Sequence, residues 1–261
     1  MLTRDRAVCI RTVDYSETSQ ILTLFGRLSG KIRAIAKGSK RAKSAFEGPI
    51  EVLSCGQIQY SPAYEGKLAT LTEFQQEPAR GQMRRHLFSL HCGLFAAELV
   101  DLLTDECDPH ADLFDHFLAF LQDMDEGRLE GADRDVLIRL VLFQLVLLYE
   151  AGLRPILSSC ANCKRSFGPG WSETYFSHAA NGLVCRDCEM SFPDKIQLST
   201  KAAKHLTDVK EIANADAKTL DEIERVLVRH LTGILGHKLK MAEYVVGVSI
   251  SPGGDGNLER G

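Results

Sequence analysis

No apolar run in this sequence is long enough to cross a bilayer. The longest, Val136 to Tyr149, is 14 residues broken by Arg139 and Gln144, against the roughly 20 that a transmembrane helix needs. It reads instead as a buried helix. Met1 to Ile10 alternates charged and apolar residues and has no secretory apolar region, so a cytosolic protein with no membrane partner is expected. Positive charge is not in excess either. The formal net charge is −4, and any affinity for nucleic acid has to come from local clustering. Catalytic signatures are missing as well: no G-x-x-x-x-G-K-[ST], H-E-x-x-H or G-x-S-x-G occurs. ATP-driven or hydrolytic chemistry has no residues to carry it, and a binding protein is expected rather than an enzyme. Aromatics are modest at 7%, and no internal repeat is visible.

What is present is a soluble-type composition, 44% apolar and 25% charged over 261 residues, enough to bury one or two cores. The hydrophobic period divides the chain. Up to about Gln76 it is β: Arg6 to Val13, Ser19 to Phe25, Lys31 to Lys37, Ile50 to Tyr60 and Lys67 to Phe74 are five short runs. They are separated by Gly26–Gly30, Gly48–Pro49 and Ser61–Gly66. Five strands at this spacing suit a small closed barrel or a sandwich, and periodicity does not select the OB-fold among these. From about Met83 the period is helical, with helices expected over His86 to Thr104, Ala111 to Met124 and Asp133 to Tyr149. After an interruption from Ser158 to Phe192 come Ser199 to Val209, Asp216 to Leu235 and a short amphipathic piece, Lys238 to Val246. The expected division is therefore a barrel over 1–80, a helical domain over 81–157 and 193–247, an insert over 158–192, and a disordered tail over 248–261.

The insert carries the sharpest signal. Of eight cysteines, Cys9, Cys55, Cys92 and Cys107 are scattered, as small buried or surface thiols are. Cys160-Ala-Asn-Cys163 and Cys185-Arg-Asp-Cys188 are two tight pairs with 21 residues between them. Each C-x2-C turn presents two thiolates to one ion, and two turns complete the tetrahedral shell of a structural zinc. A closed shell of four thiolates leaves no position for water or substrate, so the expected cofactor is one structural Zn2+ per chain. Trp171, Tyr175 and Phe176 can form a small apolar platform between the pairs, and Gly182 can turn the chain back. His178 is a weaker candidate, since four thiolates already fill the shell.

A second signal lies in the barrel. Arg27, Lys31, Arg33, Lys37, Lys40, Arg41 and Lys43 are seven basic residues in a stretch with no acidic one. Side chains alternate along a strand, so Lys31, Arg33 and Lys37 share a face with Ile35 while Ile32, Ala34 and Ala36 pack inward. Lys37 to Lys43 is expected to be a mobile basic loop in which Gly38 admits an anion. Such a stripe tracks phosphates by charge and not by sequence, and the seven residues are the candidate DNA contacts. Tyr15, Phe25 and Phe46 lie near in sequence and could stack on bases, although Phe25 fits core better. By contrast, Asp101 to Asp135 holds twelve acidic residues against Arg128 and Arg134, a net −10. This block should repel phosphate, either orienting DNA onto the barrel or forming a solvated surface.

Taken in order, these segments resemble the RecO family of recombination mediators. Ala7 to Phe25 looks like its first two strands, and Gly30-Lys-Ile-Arg-Ala-Ile-Ala-Lys-Gly38 like its basic third strand and glycine loop. Tyr149-Glu-Ala-Gly-Leu-Arg-Pro155 leads into the first cysteine pair, and Gly182-Leu-Val-Cys-Arg-Asp-Cys188 closes the insert as in zinc-containing members. The chain departs from the family at Ala179-Ala-Asn181, where members are richer in glycine. The resemblance spans about Met1 to Val246. It implies an α+β protein with an N-terminal five-stranded OB-fold barrel, followed by an all-helical domain with an inserted four-cysteine zinc module. It also implies a role in DNA repair and recombination: binding single- and double-stranded DNA, annealing complementary strands and helping to load RecA in the cytoplasm, close to the nucleoid. The implied partners are RecR and the acidic C-terminal tail of single-strand-binding protein. Two other classes remain open on the residues alone, a zinc-ribbon factor of transcription or translation and a zinc-dependent nucleic-acid hydrolase. The second would need an open metal position that a shell of four thiolates lacks.

Overall fold

The computed structural model describes residues 2–41, 44–46, 48–63, 67–78, 81–125 and 133–246. The N-terminal strands are β1 (Thr3–Asp14), β2 (Gln20–Gly26), β3 (Gly30–Ala36), β4 (Cys55–Ser61) and β5 (Ala69–Gln76). They close in the order β1-β2-β3-β5-β4, antiparallel except where β3 meets β5, which is an OB-fold barrel. The alternation seen in the sequence is realised: Ala7, Cys9, Leu22, Leu24, Ile32, Ala34 and Ala36 point into the barrel and share its core with Phe46, Ile58, Leu71 and Phe74. The opposite face of β1 and β2, with Val8, Ile10 and Phe25, is also buried, because it packs on the helices. The fourth strand begins five residues later than its apolar run suggests. Residues 51–54 turn instead, with Leu53 at φ 71°. Leu53 donates its N–H to Cys9 O at 2.7 Å, and Cys9 N returns a bond to Ser54 O at 2.8 Å.

The helices are α1 (Gly81–Arg85), α2 (Leu87–Leu103), α3 (Ala111–Asp125), α4 (Asp133–Glu150), α5 (Thr200–Thr207) and α6 (Ala217–Leu235). None of the described helices is long and apolar enough to cross a membrane. Helix α4 lies centrally, packed on α2, α3 and α6, which explains why its apolar residues run round most of its circumference. Helix α6 starts on the Asp216 carboxylate, which accepts from Thr219 N at 2.8 Å, and stops at left-handed Gly236.

Three short strands were not foreseen: β6 (Thr174–Ser177), β7 (Gly182–Cys185) and β8 (Ile196–Leu198), ordered β7-β6-β8. Strand β8 lies beyond residue 192, so the insert's sheet takes residues assigned above to the second helical part. Phe176, Leu183, Val184 and Leu198 belong to the same apolar cluster as α2, α3, α4 and α6. The insert is built into the helical body and is not appended to it. The expected tail, 248–261, lies outside the described residues.

Candidate metal centre and nucleic-acid face

The first cysteine pair sits on a tight hairpin. Ser159 and Ser166 pair across it, Cys160 N donates to Arg165 O at 2.9 Å, and Lys164 N returns to Cys160 O at 3.0 Å with Lys164 at φ 64°. The second pair straddles the end of β7 and the 3-10 helix Arg186–Ser191. One β6–β7 turn brings the strands together. In it Asn181 takes φ 52°, a left-handed position that asparagine tolerates better than most residues. Gly182 is the other requirement: a Cβ there would fall 2.3 Å from Ile156 O.

The result is that Sγ of Cys160, Cys163, Cys185 and Cys188 lie within 4.8 Å of one another. Cys163 and Cys185 are 3.8 Å apart, about the edge of a tetrahedron with metal–sulfur bonds of roughly 2.3 Å. Burial opposes ionisation of Cys160, yet backbone N–H groups of Cys185, Cys163 and Asn162 aimed at its sulfur bring the thiol down to about 6. Burial and the neighbouring sulfurs push Cys185 up to about 11, the tension that a cation among four thiols relieves. The four cysteines can hold a metal ion. Arg165 reaches Asp187 at 2.9 Å and ties the two pairs together, a contact with no mark in the sequence. Trp171 is buried, its Nε1 donating to Ser166 O at 2.9 Å and its ring edge-on to Phe167. Tyr175 and Phe176 are buried in β6. His178 is not in the cluster. Its Nε2 faces Asp194 at 3.5 Å.

The basic residues of the barrel separate into three groups. Lys31 is withdrawn from solvent: its side chain is 11% exposed, and Nζ donates to Asp101 O and Thr104 O at 2.5 and 2.6 Å. Three others are paired. Arg27 meets Asp115 with two bonds of 2.9 and 2.8 Å, Arg33 meets Glu106 at 3.8 Å, and Lys40 meets Asp14 at 2.8 Å. The Asp115 carboxyl is held below its ordinary range by the Arg27 guanidinium. Lys37 and Arg41 are exposed and have no ion pair among the described residues, while Lys43 lies outside them.

The loop carrying Lys37 and Arg41 is pinned over residues 37–41 rather than mobile. Gly38 N donates to Ser19 Oγ, Lys40 N to Thr18 O, and buried Ser39 to Gln20 Oε1. These bonds hold it against the β1–β2 turn, where Tyr15 is 63% exposed. Phe25 and Phe46 are buried and unavailable for stacking. The acidic partners Asp101, Glu106 and Asp115 went unrecognised in the sequence. The signal was there, as a −10 block in the same chain as an acid-free basic run, but a solvated surface accounts for such a block equally well.

Fold and site together define an OB-barrel protein whose helical body carries a four-cysteine centre. The model of the recombination protein O N-terminal domain matches residues 1–77, and that of its C-terminal domain matches residues 84–243. A protein named DNA repair protein RecO from Rhodopirellula baltica is 34% identical over 80% of this chain and 74% of its own length. Those of Bacillus pumilus and Bacillus subtilis are 30% and 29% identical over 94% of both chains. The chain belongs to the RecO family of DNA repair proteins.

Proposed function

We propose that the chain is a non-catalytic recombination mediator that holds single- and double-stranded DNA on its barrel and anneals complementary strands. With RecR it helps load RecA onto DNA coated by single-strand-binding protein, and its four cysteines hold structural zinc. One observation carries the DNA reading: Lys37 and Arg41 are exposed cations on a loop fixed to the barrel, with no acidic partner among the described residues. A fixed loop backbone places these unpaired cations on the barrel surface at no further cost in backbone ordering when they meet phosphate. The track is therefore narrower than the seven-residue run. It is centred on Lys37 and Arg41, with Lys40 and Lys43 beside them in the chain and Tyr15 as the exposed aromatic. Lys31 has no place in it.

A groove of about 690 Å³ on the helical body supports the partner reading. Leu142, Leu145, Tyr149, Ile156 and Leu206 wall it, with Arg154 beside them. Apolar walls with one cation, Arg154, beside Glu150 can seat a short peptide segment, and the acidic C-terminal tail of single-strand-binding protein is the occupant proposed. The deciding experiment is a salt titration of oligonucleotide binding by wild type and Lys37→Ala/Arg41→Ala. Loss of two contacts flattens the salt dependence by about 1.4 for single strands, at roughly 0.7 per contact. All sequences weaken alike, because phosphate contacts carry no base information. An unchanged slope and affinity place the nucleic-acid site elsewhere.

A further inference from the structure

The helical body sets carboxylates where a nucleic acid sets phosphates. Arg27 grips Asp115 through Nε and Nη2, the forked geometry a guanidinium uses for carboxylate and phosphate alike. The two side chains are 42% and 49% exposed, and those of Arg33 and Glu106 are both 55% exposed. Neither pair is sealed from a competing anion, and salt screens both. The backbones behind the carboxylates are fixed. Glu106 forms a parallel bridge to Lys31, Cys107 N donates to Lys31 O at 3.0 Å, and a Cβ on Gly30 would lie 2.2 Å from Asp108 O. Strand β5 pairs with β3 only at Ala34, Ile35 and Ala36, and the acidic segment lies along the other half of that edge. Lys31, clamped beneath, fastens it there.

We propose that Glu106 and Asp115 set the footprint of nucleic acid on the barrel by occupying the phosphate positions of Arg33 and Arg27. A bound strand contacts the Lys37–Arg41 end first. It advances over Arg33 and Arg27 only by exchanging each carboxylate for a phosphate. The proposal rests on the barrel reading above and deepens it, giving Glu106 between α2 and α3 and Asp115 on α3 a role in limiting that site. It also accounts for a basic run in which Arg27, Lys31 and Arg33, three of the seven, face acidic residues some 70 to 90 positions away.

The test is oligonucleotide binding by the full chain across a salt series, comparing wild type with Glu106→Gln/Asp115→Asn. Releasing two arginines adds two phosphate contacts, so the variant's salt slope steepens by about 1.4. Over a fourfold dilution of salt its affinity then rises about sevenfold more than that of wild type. A general gain from removing negative charge is separated by repeating Asp115→Asn in an Arg27→Gln background. There the Asp115→Asn gain disappears if the two residues act as a pair. An unchanged slope in the double variant, or an Asp115→Asn gain that survives without Arg27, overturns the proposal. Lys37→Ala/Arg41→Ala reports separately on the barrel reading. If that variant loses binding while the acid variant matches wild type, only the footprint proposal fails. If neither wild type nor the acid variant binds oligonucleotide, both fail.

Discussion

The barrel and the cysteine-bearing sheet are both small β structures, but they are stabilised in different ways. The barrel has an interior of its own: Leu22, Leu24, Ile32, Ile58, Leu71 and Phe74 form a cluster separate from the rest of the molecule. The three strands of the insert enclose nothing. Phe176, Leu183 and Leu198 are buried in the cluster that the helices share, the Phe176 ring lying edge-on to His230 of α6. A three-stranded sheet is too small to be stable alone, so its residues depend on the helices and on whatever holds the four sulfurs together. The barrel depends on neither to the same degree.

The comparison breaks most easily at the cysteines. Cys160→Ser or Cys185→Ser is expected to abolish metal retention and to destabilise the helical body by several kcal/mol, since the binding energy of a structural metal is folding energy, roughly 10 kcal/mol or more in small zinc domains. The barrel, with its own core, should keep its structure and its phosphate contacts. Elemental analysis and calorimetry with and without chelator check this. Metal-free wild-type protein, or one unfolding curve indifferent to chelator, contradicts it.

The seam between the two regions is the next largest effect. Phe25 leaves the barrel on its outer face and meets Phe114 and Phe117 of α3 with ring centroids 6.1 and 6.5 Å away. Phe25→Ala should cost about 3–5 kcal/mol, as large-to-small changes in cores do. Because Phe25 is not in the barrel's own cluster, the loss should separate barrel and helical melting rather than unfold the barrel. A single transition shifted as a whole would show that the two cores act as one.

What could be read from the sequence follows the same division. Period-2 alternation in Ala7 to Val13 and Lys31 to Lys37 was legible because each barrel strand has an inward face. The long helices were legible because α2, α3, α4 and α6 extend for many turns. Strands β6 to β8 were not, since none exceeds four residues and a strand that short carries no period. The cysteine centre was visible regardless, because ligand spacing is a local property. The partners of Arg27, Lys31 and Arg33 were not, because an ion pair between residues 70 to 90 positions apart leaves no local pattern.

A smaller effect tests the helical body alone. Glu224 on α6 is fully enclosed, with Gln144 Nε2 at 2.8 and 2.7 Å from its two oxygens, and burial pushes its carboxyl up to about 8 from an ordinary 4.5. The folded chain keeps this proton where the unfolded chain loses it. Stability therefore falls as pH rises from about 4.5 to 8 and levels off above, by up to about 1.4 kcal/mol per pH unit. His230, drawn down to about 4 by burial, acts the other way and only below pH 6.5. Cys160, drawn down to about 6, also acts the other way across pH 6.5 to 8, so denaturant unfolding there isolates Glu224 as the difference between wild type and Glu224→Gln. The stability gained by Glu224→Gln should therefore grow by about 2 kcal/mol between pH 6.5 and 8. A decline that survives the substitution assigns it to another group.

The smallest expected change in nucleic-acid binding concerns Lys31, which the sequence groups with the phosphate track and the structure does not. Its ammonium donates to the carbonyls of Asp101 and Thr104 and stands 3.5 Å from the Asp101 carboxylate. Hydrogen bonds to a charged group contribute about 1.5–3 kcal/mol, so Lys31→Met, which keeps the stem's packing, should lower stability by an amount in that range. Its effect on DNA should be slight, because an ammonium held by two carbonyls and facing a carboxylate is not free to follow a strand. The salt slope of Lys31→Met should then match wild type, whereas Lys37→Ala loses about 0.7. A Lys31→Met variant that melts like wild type but loses a full contact's worth of slope would return Lys31 to the DNA face. It would also remove the clamp that holds the acidic segment against β3.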